Sequence, residues 1–229
     1  MEKGKFYGVS VGPGDPELLT LKAKKILEKC SIIAAPVTGS GNMLALTIVE
    51  GAVDLSQKSI ILLNFLMTAD EAKLAASHQK EAKKVMDQLE KGMDVAMLNL
   101  GDVSIYSTFA YINEIIKKAG YKTEIIPGVP SFCAVAAVLE TSLTTMKKPI
   151  HIIPSDYDGF ENGLELKGTK VIMKTGKGLP KLKQVLVEKG MSEHAALVAN
   201  CGLENQKVYK NIQESCESEG YFATIVIKD

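Results

Sequence analysis

Short apolar runs that alternate with amphipathic stretches constrain this chain more than any other feature. "FYGVSV", "SIIAAPV", "SIILLNF", "DVAMLNL" and "TEIIP" have the length and apolar content of strands, and most are separated by helical patterns such as Glu71 to Lys91 and Thr108 to Ala119. Strands alternating with helices predict an α/β unit with a mainly parallel sheet. A second series follows: "PIHIIPS", "TKVIMK", the helical "GLPKLKQVLVEKG", "AALVAN" and "YFATIVIKD". Between the two, Thr145 to Pro149 carries a Lys-Lys-Pro that interrupts the pattern. The sequence therefore predicts two α/β domains, residues 1–146 and 147–229, without internal repeats. A length of 229 residues with 46% hydrophobic and 24% charged content supports such cores.

Charge narrows the partners. The formal net charge is zero, which argues against a general affinity for nucleic acid or an acidic membrane, since both depend on a basic excess. All 27 basic residues are lysines, so a carboxylate-rich ligand must be met by lysine point charges and main-chain amides instead of guanidinium forks. No apolar run approaches the roughly 18 to 20 residues of a membrane span. The start, "MEKGKFYG", lacks the apolar region of a signal peptide, and a cytoplasmic protein is expected. Cys30, Cys133, Cys201 and Cys216 are widely spaced without a C-x-x-C, and His78, His151 and His194 are equally scattered. Neither a disulfide framework nor a protein-bound metal is expected. The thiols are expected reduced and buried. His151 reads as a hydrogen-bonded strand residue, while His78 and His194 are expected to face solvent.

Ligands of open α/β sheets collect at the carboxyl ends of strands, and three loops there are unusual. The first, "YGVSVGPGDPELLT", begins like a dinucleotide turn, with Gly12 and Gly14 in place. The third glycine of G-x-G-x-x-G is replaced by Glu17, and "SIIAAPV", about 20 residues on, holds no acid for a ribose. These departures argue against NAD. The residues instead predict a turn into a helix capped by Asp15, with Pro16 at its first position and Leu18, Leu19, Leu21, Ile26 and Leu27 on one apolar face. In the second loop, "LNLGDVSIYSTF", Gly101 and Asp102 follow a strand, and Ser104, Ser107 and Thr108 offer hydroxyls before a helix; the loop either approaches and hydrogen-bonds a ligand, or Asp102 or a following serine merely caps that helix. In the third, "IIPGVPSFCAVAAVLE", Pro127, Gly128 and Pro130 shape a turn and Ser131 can cap; small residues on the following helix leave room or simply pack.

These loops, in this order and followed by "VIMKTGKG", resemble the tetrapyrrole methylases over nearly the whole chain. "SVGPGDPELLTLKA", "LNFLMTADEAKLAASHQKEAKKVMDQLEKG", "GDVSIYSTF" and "EIIPGVPSF" are most similar to the branch that methylates C-20 of precorrin-2 or cobalt-factor II in corrin (cobalamin) biosynthesis. The resemblance implies a homodimer whose two α/β domains enclose a trough, with S-adenosylmethionine as methyl donor and the macrocycle above it. It places Leu100, Gly101, Asp102, Val103 and Tyr106 along the donor's methionine end, continued by Ser131 and Phe132, and Met173, Asn200 and Thr224 at its adenosine. Gly12, Pro13, Gly14 and Asp15 would face the tetrapyrrole, their exposed amides suited to a carboxylate at a helix start. The macrocycle carbon is itself the nucleophile, so no Cys-His or Ser-His arrangement is needed. The C-20 proton would pass to Asp15, Glu17 or a substrate nitrogen. A uroporphyrinogen-III C-methyltransferase, a diphthine synthase and a non-catalytic tetrapyrrole carrier are the competing readings. The lysine-only composition suggests an AT-rich bacterial genome, a trait of many anaerobes, and so favours the cobalt-bearing substrate. None of the trough loops offers a His or Cys to that cobalt except Cys133, expected on the buried face of its helix.

Overall fold

The computed structural model describes residues 2–37, 43–66, 68–220 and 222–228. The chain divides into two compact units, Met1–Pro130 and Ser131–Asp229. The first contains β1 (Phe6–Ser10), α1 (Leu21–Lys29), β2 (Ile32–Val37), α2 (Leu44–Glu50), β3 (Ser59–Asn64), α3 (Glu71–Leu89), β4 (Val95–Asn99), α4 (Phe109–Lys118) and β5 (Thr123–Ile126). The second contains α5 (Ser131–Val138), β6 (Ile150–Pro154), α6 (Phe160–Leu164), β7 (Thr169–Met173), α7 (Leu179–Glu188), β8 (Ala195–Ala199), β9 (Lys207–Tyr209) and β10 (Ala223–Ile227). The division by contacts falls earlier than the interruption at Lys147-Lys148-Pro149. The reason is α5, which packs on β10 and so joins the second sheet.

Every pairing in the first sheet, of order β3-β2-β4-β1-β5, is parallel. Its inner strands β1 and β4 are buried at every position, as expected of strands covered on both faces. One face packs Leu27 of α1 and Val49 of α2 against Val9 and Ile33. The other packs Leu89 of α3 and Ile116 of α4 against Phe6 and Met97. The second sheet, β6-β7-β10-β8-β9, is mixed, with only β6 and β7 parallel. Its core lies under α6 and α7, around Leu164, Ile172, Leu186 and Ile225.

The turn after β1 differs from its sequence reading. Asp15 does accept an amide hydrogen bond, from Glu17, but it caps a single 3-10 turn, Pro16–Leu18. Leu19 then returns to extended backbone, and α1 starts afresh with Thr20 as its cap, the hydroxyl accepting from Ala23 N at 3.1 Å. Starting the helix there rotates its faces. Leu21 is 78% exposed, and Ala23 and Leu27 are the buried residues of α1.

Among the described residues the outer strand β3 pairs only with β2, and α3 closes part of its open edge. Lys84 Nζ donates to the Leu62 carbonyl at 3.0 Å, Glu81 Oε2 accepts from Asn64 N at 3.1 Å, and Ser77 Oγ accepts from Leu66 N at 3.3 Å. Glu81 is 2% exposed and paired with Lys84 at 2.6 Å, which matches buried charge with a partner.

At the opposite end of β1, Glu124 of β5 binds both Lys22 (2.8 Å) and Lys5 (2.7 Å). Hydrogen bonds from Lys22 and then Lys5 pull its carboxyl down from 4.5 to about 2. A depressed carboxylate stabilises the fold above its unfolded value, and that stability is lost as pH falls from 4.5 toward about 2. The three side chains are 31 to 57% exposed, so the contribution is no more than about 1 kcal/mol. Glu124→Gln is expected to lower the midpoint of thermal unfolding modestly at neutral pH, the gap closing on acidification through this window. A gap independent of pH would exclude the ion pairs as its cause.

Candidate functional site

β1 and β4 are neighbours, yet β1 leads to α1 on one face and β4 leads to α4 on the other. Adjacent strands with connections to opposite faces open a crevice at their carboxyl ends, the usual ligand position in such sheets. The chain lines this crevice with a short main-chain ladder. Val11 N donates to Asn99 O at 2.9 Å, and Gly12 and Gly101 exchange two bonds, of 2.7 Å from Gly101 N and 3.2 Å from Gly12 N. Both glycines are left-handed, at φ 76 and 71, where an ordinary residue costs about 1–2 kcal/mol.

Buried polar side chains hold the loop after β4. Asn99 Oδ1 accepts from the Ser107 hydroxyl at 2.6 Å, and Ser107 Oγ accepts from Phe109 N at 3.1 Å. Ser107 thus caps α4, whereas Thr108 makes no capping bond. Ser10, fully buried at the end of β1, accepts from Val103 N at 2.9 Å. Asp102 reaches further. Its Oδ1 accepts from the amide and hydroxyl of Ser104 at 2.8 and 2.5 Å, and its Oδ2 from Gly128 N at 2.7 Å. Burial works against this carboxylate, but hydrogen bonds from Ser104, Gly128 and Ser10 outweigh it and hold the group below the usual aspartate value.

Leu100 is half-buried against the core that α1 and α2 form with the first sheet. Val103 turns its side chain into the core on the opposite face of that sheet, with α3 and α4, at 2% exposure, so it presents only main chain to the crevice. Tyr106 is 43% exposed at φ 50. Gly12, Pro13 and Gly14 are buried, not exposed as the sequence reading had them. The Gly12 amide is committed to Gly101 and the Glu17 amide to Asp15, while proline has none. Glu17 itself is exposed and Asp15 half-buried.

In the second unit, Thr224 of β10 lies opposite Val198 of β8, and the β10–β7 register carried one residue on sets Met173 beside it. The Ser131 hydroxyl, at the start of α5, is 3.2 Å from Thr224 Oγ1, and Phe132 is 9% exposed. Asn200, at φ 52 just beyond β8, donates its amide to Phe222 O at 3.0 Å. The ladder therefore gathers Ser131, Met173 and Thr224 on one side of β10, with Asn200 at the strand end.

Ser10 and Asn99 went unnoticed in the sequence. The available signal was a small polar residue ending a strand that is otherwise apolar. His151 bonds the Lys167 carbonyl at 3.0 Å, and His194 is exposed. His78, expected in solvent, is instead buried, stacked on Tyr111 with centroids 4.8 Å apart, and burial pushes its pKa down. It shares the stripe of α3 that buries Glu81, Ala82 and Val85. Cys133 is exposed, with Cys216, while Cys30 and Cys201 are buried; α5 packs through Phe132, Val135 and Ala136, and Cys133 lies off that arc. Among the described residues no group of three His, Cys, Asp or Glu converges as a metal site. Two surface depressions of about 560 and 500 Å³ hold none of the candidate residues, so topology and loop bonding, not concavity, mark the site.

The family model of tetrapyrrole (corrin/porphyrin) methylases matches residues 5–215. The chain belongs to that family. Among related tetrapyrrole methylases, it is 29% identical to the cobalt-precorrin-2 C(20)-methyltransferase of Salmonella typhimurium, over 98% of this chain and 96% of that protein. It is 37% identical to a probable cobalt-precorrin-2 C(20)-methyltransferase of Methanocaldococcus jannaschii, over 75% of this chain and 72% of that one. Its fold is similar to that of another tetrapyrrole methylase, the uroporphyrin-III C-methyltransferase of Thermus thermophilus solved with S-adenosylhomocysteine. The TM-score is 0.69 at 17% identity, covering 99% of this chain and 98% of that one. At the crevice of the first unit, main-chain groups and hydroxyls stand beside the half-buried Leu100 and the exposed Tyr106, a surface with polar and apolar parts. Among the described residues no helix is long and apolar enough to cross a membrane.

Proposed function

We propose that the chain is an S-adenosylmethionine-dependent methyltransferase that methylates C-20 of precorrin-2, in its cobalt-bearing form, during corrin biosynthesis. The observation that carries this reading is the similarity, along almost the full chain, to proteins named as C(20)-methyltransferases of cobalt-precorrin-2. The same names favour it over a uroporphyrinogen methylase, a diphthine synthase or a carrier.

When bound, S-adenosylmethionine supplies an electrophilic methyl group. Leu100, Gly101, Val103 and Tyr106 would flank its methionine end with Ser131 and Phe132, and Met173, Asn200 and Thr224 its adenosine. Asp102 belongs to the same wall. The macrocycle would meet Gly12, Pro13, Gly14 and Asp15. The nucleophile is a carbon of the substrate, so the chain's work is to hold two ligands in line, where effective molarities of about 10⁵–10⁸ M are attainable. Asp15, Glu17 or a nitrogen of the substrate itself would accept the C-20 proton. Glu17 has the more accessible carboxylate, and Asp15 has one oxygen committed to Glu17 N at 2.8 Å. A homodimer in the cytoplasm completes the reading, the former checked by light scattering.

The purified protein is expected to bind S-adenosylmethionine and S-adenosylhomocysteine in calorimetry without added metal; no binding of either ends the methyltransferase reading. Anaerobic incubation with labelled donor and either cobalt-factor II or metal-free precorrin-2 is expected to place label on C-20 by mass spectrometry and carbon NMR, faster with the cobalt form. Label on a different carbon moves the protein to another branch of the family, and a faster metal-free reaction reverses only the preference for cobalt.

A further inference from the structure

We propose that Asp102 is a positioning residue whose carboxylate ties the loop after β5 to the loop after β4, itself bridged to the loop after β1, so that the three form one wall, and that it acts on the methyl donor through that wall instead of by contact. The donor part rests on the methyltransferase reading above; the wall itself does not.

Occupancy is the first argument. A carboxylate offers about four lone-pair sites. Asp102 receives the Ser104 amide and hydroxyl at 2.8 and 2.5 Å and the Gly128 amide at 2.7 Å. The Ser10 hydroxyl holds the next residue, accepting Val103 N at 2.9 Å. The chain engages both carboxylate oxygens and three of their acceptor sites, so a ligand ammonium or hydroxyl meets a carboxylate already committed to its own chain. Bonds from N–H to an ionised acceptor are among the stronger kind, which makes their displacement unfavourable.

Origin is the second argument. The donors come from the loop after β4 (Ser104) and the loop after β5 (Gly128). The Gly12–Gly101 bridge joins only the loops after β1 and β4. The loop after β5 is otherwise linked through a long 3.4 Å contact from the Thr20 hydroxyl to the Pro127 carbonyl. Asp102 is thus the strong attachment of Gly128 to the crevice that the other two loops line.

Asp102→Asn keeps the shape but turns an NH₂ toward a donor N–H, so one arm of the wall must release. Ser10→Ala removes a single bond at a fully buried position, where no ligand can touch. Amide exchange of Gly128 and Val103 is measured in the ligand-free proteins, with S-adenosylhomocysteine affinity by calorimetry and donor KM and kcat with cobalt-factor II. In Asp102→Asn, Gly128 is expected to exchange at least about tenfold faster and donor KM to rise about tenfold, with kcat within about threefold; this pattern marks lost binding, not lost folded protein. Ser10→Ala is expected to speed Val103 exchange and weaken the donor about threefold, and the double variant to match Asp102→Asn alone, because both side chains hold the same stretch, residues 102 and 103, of the loop after β4.

Unchanged Gly128 exchange in Asp102→Asn overturns the wall. A double variant that loses the product of both single effects overturns action through it. If Asp102→Asn does not fold, Ser10→Ala decides, and normal Val103 exchange with normal affinity rejects the proposal. Failure of the unsubstituted protein to bind S-adenosylhomocysteine sinks the methyltransferase reading and with it the donor part, while Gly128 exchange still decides whether Asp102 holds the loops.

Discussion

Gly101→Val is expected to weaken S-adenosylmethionine binding about 100-fold, close to 2.7 kcal/mol, while leaving the circular dichroism spectrum nearly unchanged. Gly101 sits at φ 71 and exchanges two hydrogen bonds with Gly12. A β-branched side chain disfavours that backbone, so the residue must return to negative φ, break the bridge and redirect the chain into Asp102. Strain alone would not weaken binding, and Gly120→Val separates the two effects. Gly120 is also left-handed, at φ 83, just beyond α4 with nothing within 4 Å of an added Cβ. It is expected to lose stability of a similar order, about 1–2 kcal/mol, yet bind the donor normally. Equal donor affinity in the two variants would show that Gly101 is a turn residue only.

The largest loss of stability is expected from Gly8→Val, in the middle of β1. A Cβ at Gly8 would lie 2.4 to 2.7 Å from three atoms of the Phe109 ring, which is 1% exposed and 5.1 Å from the Phe6 ring. Neither ring has room to retreat, because Met97, Ile112 and Ile116 close the same cluster. Overpacking of this kind costs about 3 kcal/mol or more, which for a chain of this size lowers the melting temperature by roughly 6–12 °C. Melting followed by circular dichroism tests it; a shift below about 2 °C would mean that the first residue of α4 moves freely, contrary to its cap.

Gly8 also illustrates what the sequence discloses. "FYGVSV" identifies the strand from composition, but not that a phenyl ring from residue 109 needs the missing side chain, since that contact is created by the fold. The nine longer strands and the helices α1, α3, α4, α5 and α7 were legible because period and length mark them. α2, with "LALTIVE", has no polar face to betray a helix, and β9, three residues long, is too short for periodicity. Loop positions at the strand ends were legible from glycine and hydroxyl content. Who bonds whom was not. Asp102 could be read as a ligand contact or a cap, and only the arrival of Gly128, 26 residues later, shows its engagement with another loop. His78 failed for a related reason: its neighbours in sequence are polar, but it lies on the stripe of α3 that is buried, with Ala82 and Val85.

The side chains of α3 that meet β3 carry a consequence for how this protein can go wrong. A bare outer strand is a template for a strand from another molecule, and "SIILLNF", with Ile60 and Leu62 partly exposed, has the apolar, uncharged character that such templating favours. Ser77, Glu81 and Lys84 occupy the places where an added strand would bond. Loosening α3 therefore does more than uncover a helix-binding face: it frees an adhesive edge, so the first sign of damage there is clumping among molecules before any loss of the crevice beyond β1 and β4.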